Sequence, residues 1–140
     1  MFVHGVSCGS DSPLTLRPGF AQLLPDASVW HTGLYQLGEP PLTVEYFNKF
    51  PPRMSESQEA PCDVACTLDF AIGAGSKMLS ALDIVEEWGP SQIRAVAVIA
   101  SHRGLLEVVE RHPRVLVYVA AVQESLEEFG NVGQQLFGAY

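Results

Sequence analysis

The feature that most restricts the fold of this chain is an alternation of strand and helix patterns in its second half. Three apolar runs of strand length alternate with two segments of helical apolar spacing, in the order 63–68, 76–88, 93–100, 101–112 and 115–121. Continuous apolar runs of this length are typical of parallel strands that are covered on both faces. Parallel strands need long, right-handed crossover connections. We therefore predict an α/β fold of three layers, with a central, mostly parallel sheet of buried strands and helices on both faces.

The first half of the chain adds a hairpin to this sheet. Residues 28–35 and 42–50 are rich in β-branched and aromatic residues and are separated by turn formers, which predicts a β-hairpin. Residues 2–6 predict one further short strand, and residues 14–24 have helical spacing. Because proline removes a helical hydrogen bond, Pro18 restricts the expected helix to the later part of that segment.

The predicted helix over 101–112 carries its own boundary signals. Ser101 is a suitable N-cap, since its hydroxyl can accept a hydrogen bond from the first turn. Pro113 ends the helix, and we expect His112 to interact with the last helical carbonyls.

Composition limits the possible partners. The chain of 140 residues has a net charge of −8, which argues against a nucleic-acid partner held by general electrostatics. No apolar run approaches the length of a membrane span, so we expect a cytoplasmic protein with no membrane partner. Cys62 and Cys66 have no second clustered ligand pair, so no metal site is predicted there. The length suits a single domain over residues 1–140.

The segment 66–79 is the candidate site. It runs from an acid, Asp69, at the end of a predicted strand through Gly73 and Gly75 into a helix. Glycines let backbone N–H groups approach an anion closely, and a helix N-terminus adds free donors and the positive end of its dipole. The pattern predicts a phosphate cradle, although an ordinary strand-to-helix turn uses the same residues.

Several motifs then resemble one known family. Residues 31–35 read His-Thr-Gly-Leu-Tyr, residues 44–52 read Val-Glu-Tyr-Phe-Asn-Lys-Phe-Pro-Pro, and residues 134–138 read Gln-Gln-Leu-Phe-Gly. Residues 93–121 contain Ile-Arg, Ile-Ala-Ser, Arg-His-Pro and Tyr-Val-Ala-Ala in order. These segments resemble uracil phosphoribosyltransferase, the enzyme that joins uracil to phosphoribosyl pyrophosphate in pyrimidine salvage. The resemblance implies the type I phosphoribosyltransferase fold with the hairpin as an arm.

The same resemblance implies a set of site residues and partners. It makes Asp69 the catalytic residue, and it assigns the binding of phosphoribosyl pyrophosphate to Asp69, Ile72, Gly73, Ala74, Gly75, Ser76 and Lys77. It assigns recognition of the base to Gly130, Asn131 and Val132. It further implies small-molecule substrates, Mg²⁺ bound with phosphoribosyl pyrophosphate, and a homodimer.

The chain also departs from the family pattern. Ala74, Ser76 and Lys77 stand where the family has threonine, glycine and serine, and Gln36 stands where it has arginine. A second family arginine is missing after Val6, the segment implied to recognise the base is shortened, and the N-terminal helices of the family are absent. Two interpretations follow: a uracil phosphoribosyltransferase of reduced or lost activity, or a catalytically silent homologue that binds nucleotides or pairs with another subunit.

Overall fold

The computed structural model describes residues 2–7, 12–40, 42–50 and 62–124. Its strands are β1 (Phe2–Ser7), β2 (Ser28–Leu37), β3 (Leu42–Asn48), β4 (Val64–Ile72), β5 (Gln92–Ser101) and β6 (Leu116–Gln123). Its helices are α1 (Ser12–Leu23), α2 (Ser76–Trp88) and α3 (His102–Arg111).

The six described strands form one sheet in the order β3-β2-β1-β4-β5-β6. Only β3 among them is antiparallel to its neighbour, as the second arm of the hairpin with β2. The chain moves from β1 to β2 in one direction and from β4 to β6 in the other, so right-handed connections place α1 on one face and α2 with α3 on the opposite face. The predicted α/β fold with its mostly parallel sheet and hairpin arm is confirmed.

The topology also marks where a ligand is expected. The order of the strands reverses at β1, which pairs in parallel with both β2 and β4. Open α/β sheets bind ligands at the carboxyl ends of the strands beside such a reversal. The connection from β4 to α2 lies at this edge.

The main core lies between the sheet and the two helices α2 and α3. Ile72, Leu82 and Val108 are at most 1% exposed and pack in one cluster with Ala95 and Ala97 of β5. Burial of a large aliphatic side chain stabilises a fold by about 1.5–3 kcal/mol. The small alanines on β5 let the helices approach the sheet closely. This packing holds the beginning of α2 against the end of β4.

One helix differs from its prediction. α1 begins at Ser12 and contains Pro18 in its interior, so the restriction to the later part of the segment is wrong. The helix packs on β1 and β4, and this tertiary packing outweighs the one helical hydrogen bond that proline removes. None of the helices in the described ranges is long and apolar enough to cross a membrane.

The last strand was predicted to be buried, and this prediction is wrong. β6 pairs only with β5 among the described strands and therefore forms one edge of the sheet. Val117 and Val119 pack on the main core, whereas Leu116 and Tyr118 are 54% and 50% exposed. The apolar composition of this run thus reflects one covered face rather than two.

His112 also differs from its prediction. Its ring is 3% exposed and lies against α2, with Nε2 3.2 Å from an Asp83 carboxylate oxygen and Nδ1 3.1 Å from a Glu86 carboxylate oxygen. These are ion-pair distances without hydrogen-bond alignment. The backbone N–H of His112, rather than its ring, donates to the carbonyl of Val108. The residue therefore joins α3 to α2.

Candidate functional site

The connection from β4 to α2 is a tight turn that requires glycine. Gly75 is the N-cap of α2 and has a φ of 88°, in the left-handed region that side chains disfavour. A Cβ atom at this position would lie 3.1 Å from the carbonyl oxygen of Gly104 and 3.3 Å from the Cβ of Glu107. Both the backbone angle and the contact with α3 therefore favour glycine at position 75.

The first turn of α3 packs against the connection from β4 to α2. The Ser101 hydroxyl accepts a hydrogen bond from the Gly104 N–H at 2.9 Å, which confirms the predicted N-cap. The same hydroxyl donates to the carbonyl oxygen of Gly73 at 2.5 Å. A Cβ atom at Gly104 would lie only 2.1 Å from that Gly73 oxygen. Sequence reasoning missed this support, although an isolated glycine within a helical pattern was a signal for it.

We predict that Ser101→Ala lowers the free energy of unfolding by about 1–2 kcal/mol, because it removes the cap of α3 and the hydrogen bond to the turn at once. Urea denaturation measures this change. Ser91→Ala, at an exposed side chain, is the matched control and should leave stability unchanged. A loss no larger than that of the control would contradict the role assigned to Ser101.

A cavity of about 310 Å³ opens at the beginning of α2. It is lined by Gln36 from the end of β2 and by residues 71–78. The first N–H groups of a helix have no partner within the helix, and together with its dipole they favour an anion. Lys77 adds a positive charge, and Ser76 adds a hydroxyl group. The cavity is therefore suited to the phosphate group of a small ligand.

Gln36 closes one side of this cavity. Its side-chain amide Nε2 donates a hydrogen bond to the Ser76 hydroxyl, which links β2 to the first residue of α2. The link joins two positions at which the sequence departs from the family pattern. An amide offers a dipole at this place, whereas an arginine would offer a full charge.

Asp69 lies within β4, because the strand continues beyond the predicted end at Leu68 to Ile72. The residue is 4% exposed, and its Oδ1 accepts a hydrogen bond from the Phe70 N–H at 2.7 Å. Its Oδ2 is buried with no hydrogen-bond partner among the described residues. Burial raises the pKa of Asp69 to about 6, and the nearby charge of Lys77 opposes this shift.

The predicted site residues are therefore distributed in three ways. Residues 72–77 line one cavity, whereas Asp69 is not among its lining residues and lies deeper in the strand. The residues predicted to recognise the base, 130–132, lie outside the described ranges. A buried acid with a shifted pKa beside an anion cavity is typical of functional sites. Their assignment to particular substrate groups stays a prediction.

Comparison with known proteins places this geometry in a family. The family model of uracil phosphoribosyltransferase matches residues 12–139. The uracil phosphoribosyltransferase of Ureaplasma parvum is 35% identical over 127 residues, which cover 86% of this chain and 58% of that protein. The chain thus spans less than two thirds of the length of this relative.

Solved structures show the same fold at lower identity. A protein from Aquifex aeolicus superposes with a TM-score of 0.78 at 22% identity, over 98% of this chain and 65% of its own. The purine phosphoribosyltransferase of Pyrococcus horikoshii superposes with a TM-score of 0.62 at 12% identity, over 89% of this chain and 71% of its own. Since the sequence match covers most of the chain and the fold agrees with it, this protein belongs to the uracil phosphoribosyltransferase family.

Proposed function

We propose that this chain is a uracil phosphoribosyltransferase-like protein of the cytoplasm. It binds the ribose phosphate part of phosphoribosyl pyrophosphate, and its conversion of uracil to UMP is reduced or lost. The observation that carries the proposal is the cavity of about 310 Å³ at the beginning of α2, with the buried Asp69 beside it. Membership of the family supplies the reaction and its substrates.

The proposal assigns a different role to each group of site residues. The backbone N–H groups of residues 73–77 would bind the 5′-phosphate, with Lys77 adding charge and Ser76 a hydroxyl donor. The Asp69 carboxylate would act on the ribose side as the catalytic residue. Recognition of uracil is assigned to Gly130, Asn131 and Val132, by resemblance alone.

Reduced activity follows from the charge around the cavity. Phosphoribosyl transfer releases pyrophosphate, so positioned cations stabilise the transition state. Lys77 is the one cationic side chain among the described residues that line the cavity. Each missing charged contact costs about 2–4 kcal/mol in the transition state, so loss of two arginines would lower the rate by several powers of ten.

Mg²⁺ would accompany phosphoribosyl pyrophosphate rather than occupy a site of its own. Within the described ranges, no three acidic, histidine or cysteine side chains come together as metal ligands. Asp69 offers one unpartnered oxygen, but this oxygen is buried. Mg²⁺ is commonly held by substrate phosphates, water and few carboxylates, and it would add positive charge beside the leaving pyrophosphate.

The alternative is a silent homologue. Such a protein would bind ribose phosphates or UMP without turnover, or would pair with another subunit. The exposed apolar residues of the hairpin, Leu37 and Leu42, favour a pairing surface and fit the proposed homodimer. Measurement of the molar mass in solution tests the dimer.

We predict that the combined change Ala74→Thr, Ser76→Gly, Lys77→Ser and Gln36→Arg increases UMP formation at least about tenfold, because one charged transition-state contact is commonly worth about 2–4 kcal/mol. The measurement is UMP formation from uracil and phosphoribosyl pyrophosphate with Mg²⁺. The matched control replaces Gln36→Arg by Leu37→Arg, at the next residue, which is 52% exposed. This control keeps the three loop changes and adds the same charge outside the cavity lining, so it should form UMP more slowly than the combined variant.

Calorimetry with UMP and ribose 5-phosphate separates the two interpretations. Binding without turnover in the natural chain supports the silent homologue. Turnover at ordinary enzyme rates, about 1–10³ per second, would contradict reduced activity. Absence of binding for both ligands would contradict the proposed site itself.

A further inference from the structure

A second and larger cavity lies at the opposite edge of the sheet. It measures about 560 Å³ and is lined by the end of α2, the start of β5 and the start of β6. The parallel strands β5 and β6 begin here, whereas the cavity beside Asp69 lies at the carboxyl end of β4. The two cavities share no lining residue. A ligand in one would therefore not displace a ligand in the other.

Arg94 is the first of two arginines that line this cavity. It stands near the beginning of β5, opposite Cys66 of β4 and Leu116 of β6. Its guanidinium Nε is buried and has no hydrogen-bond partner among the described residues. A charged donor that is buried without an acceptor is costly, so Arg94 carries an unsatisfied positive group among the residues that line the cavity.

Arg114 is a second arginine among the residues that line the same cavity. It lies just before β6, the strand that pairs with the strand of Arg94. Planar guanidinium groups bind phosphate oxygens through paired N–H donors, and two of them match the double charge of a phosphate ester better than the single charge of a carboxylate.

One acidic residue among the described residues, Glu86, lines the cavity beside the two arginines, so the lining keeps a net positive charge. Its Oε1 lies 3.1 Å from the Nδ1 of His112. This contact holds the Glu86 carboxylate at the interface between α2 and α3. The cavity volume is within the usual range for small-molecule sites.

We propose that this cavity is a second anion site, which binds the phosphate group of a small phosphorylated ligand through Arg94 and Arg114. The site is separate from the proposed substrate cavity and does not depend on its function.

The test uses the full chain with the first cavity blocked. Ser76→Asp places a carboxylate at the beginning of α2, where acids favour the helix and repel a bound anion. In this background, calorimetry with inorganic phosphate should show one remaining site with a dissociation constant on the order of 1–10 mM. The double variant Arg94→Gln with Arg114→Gln should weaken this binding at least about tenfold.

Two comparisons complete the experiment. Arg103→Gln removes the same charge from an exposed position of α3 outside the cavity, and it should leave phosphate affinity unchanged. Acetate in place of phosphate should bind at least about tenfold more weakly, since it carries one charge. If the double variant does not fold, Arg114→Gln alone changes an exposed side chain and should weaken binding measurably.

The proposal fails if Ser76→Asp abolishes all phosphate binding, because the second cavity would then hold none. It also fails if the arginine variants bind phosphate as tightly as their parent. Equal affinity for acetate and phosphate would overturn the assignment to phosphate. Failure of the proposed substrate cavity is a separate result, since it is measured with UMP and ribose 5-phosphate in the chain without Ser76→Asp.

Discussion

Gly104→Ala is expected to destabilise the fold by about 2 kcal/mol or more and to abolish binding of ribose 5-phosphate. The added Cβ would lie 2.1 Å from the carbonyl oxygen of Gly73, so either α3 or the turn before α2 must move. Alanine stabilises a helix by about 1 kcal/mol relative to glycine. A net loss of unfolding free energy in Gly104→Ala would therefore come from the steric conflict. Urea denaturation measures the stability, and calorimetry measures the ligand.

The matched control for this change is Gly19→Ala in α1. Apart from its chain neighbours and the backbone of its own helix, no described atom lies within 4 Å of a Cβ at Gly19, so alanine is expected to fit there without displacement. We expect a gain of about 0.5–1 kcal/mol from helix propensity, and unchanged binding of ribose 5-phosphate. If Gly104→Ala behaved like this control, the contact between α3 and the turn would not hold the cavity in place.

Asp69→Asn is expected to stabilise the protein above about pH 6 by up to about 3 kcal/mol. Burial raises the pKa of Asp69 from 3.8 to about 6, so the folded state binds a proton that the unfolded state releases. The contribution of Asp69 to stability is therefore largest below the unfolded pKa and is lost as the pH rises through the folded pKa. Asparagine keeps the shape of the side chain but carries no charge.

The measurement is the difference in unfolding free energy between the natural chain and Asp69→Asn at several pH values. The difference should be largest at about pH 8 and fall to about half by about pH 5. Asp63→Asn, at an exposed carboxylate, is the control and should show no such dependence. A flat difference for Asp69→Asn would mean that its carboxyl group is not held in an unfavourable environment.

We expect Asp69→Asn to weaken ligand binding although it stabilises the fold. If Asp69 acts on the ribose, Asp69→Asn should weaken binding of ribose 5-phosphate more than binding of inorganic phosphate. A stabilising change that lowers function is typical of residues retained for activity. Equal effects on both ligands would indicate that Asp69 acts through charge alone.

The sequence predicted most elements of the fold because their signals are local. The parallel run over 93–100, the helix over 76–88 and the N-cap at Ser101 depend on residues close together in the chain, and the structure agrees with each. The exposed face of β6 was missed, because an apolar run does not reveal which strand lies at the edge. The interior Pro18 of α1 was missed because packing on the sheet outweighed local preference.

Sequence by itself determined the family, the order of the elements and the residue types around the cavity at the beginning of α2, since motif order and apolar periodicity are properties of the linear chain. Tertiary structure decided which of these groups act together. The hydrogen bond from Ser101 to Gly73 spans 28 positions, and the link between Gln36 and Ser76 spans 40. The burial that shifts the pKa of Asp69 depends on the strands and helix packed around it. Such effects arise from contacts between distant residues, and no local pattern encodes them.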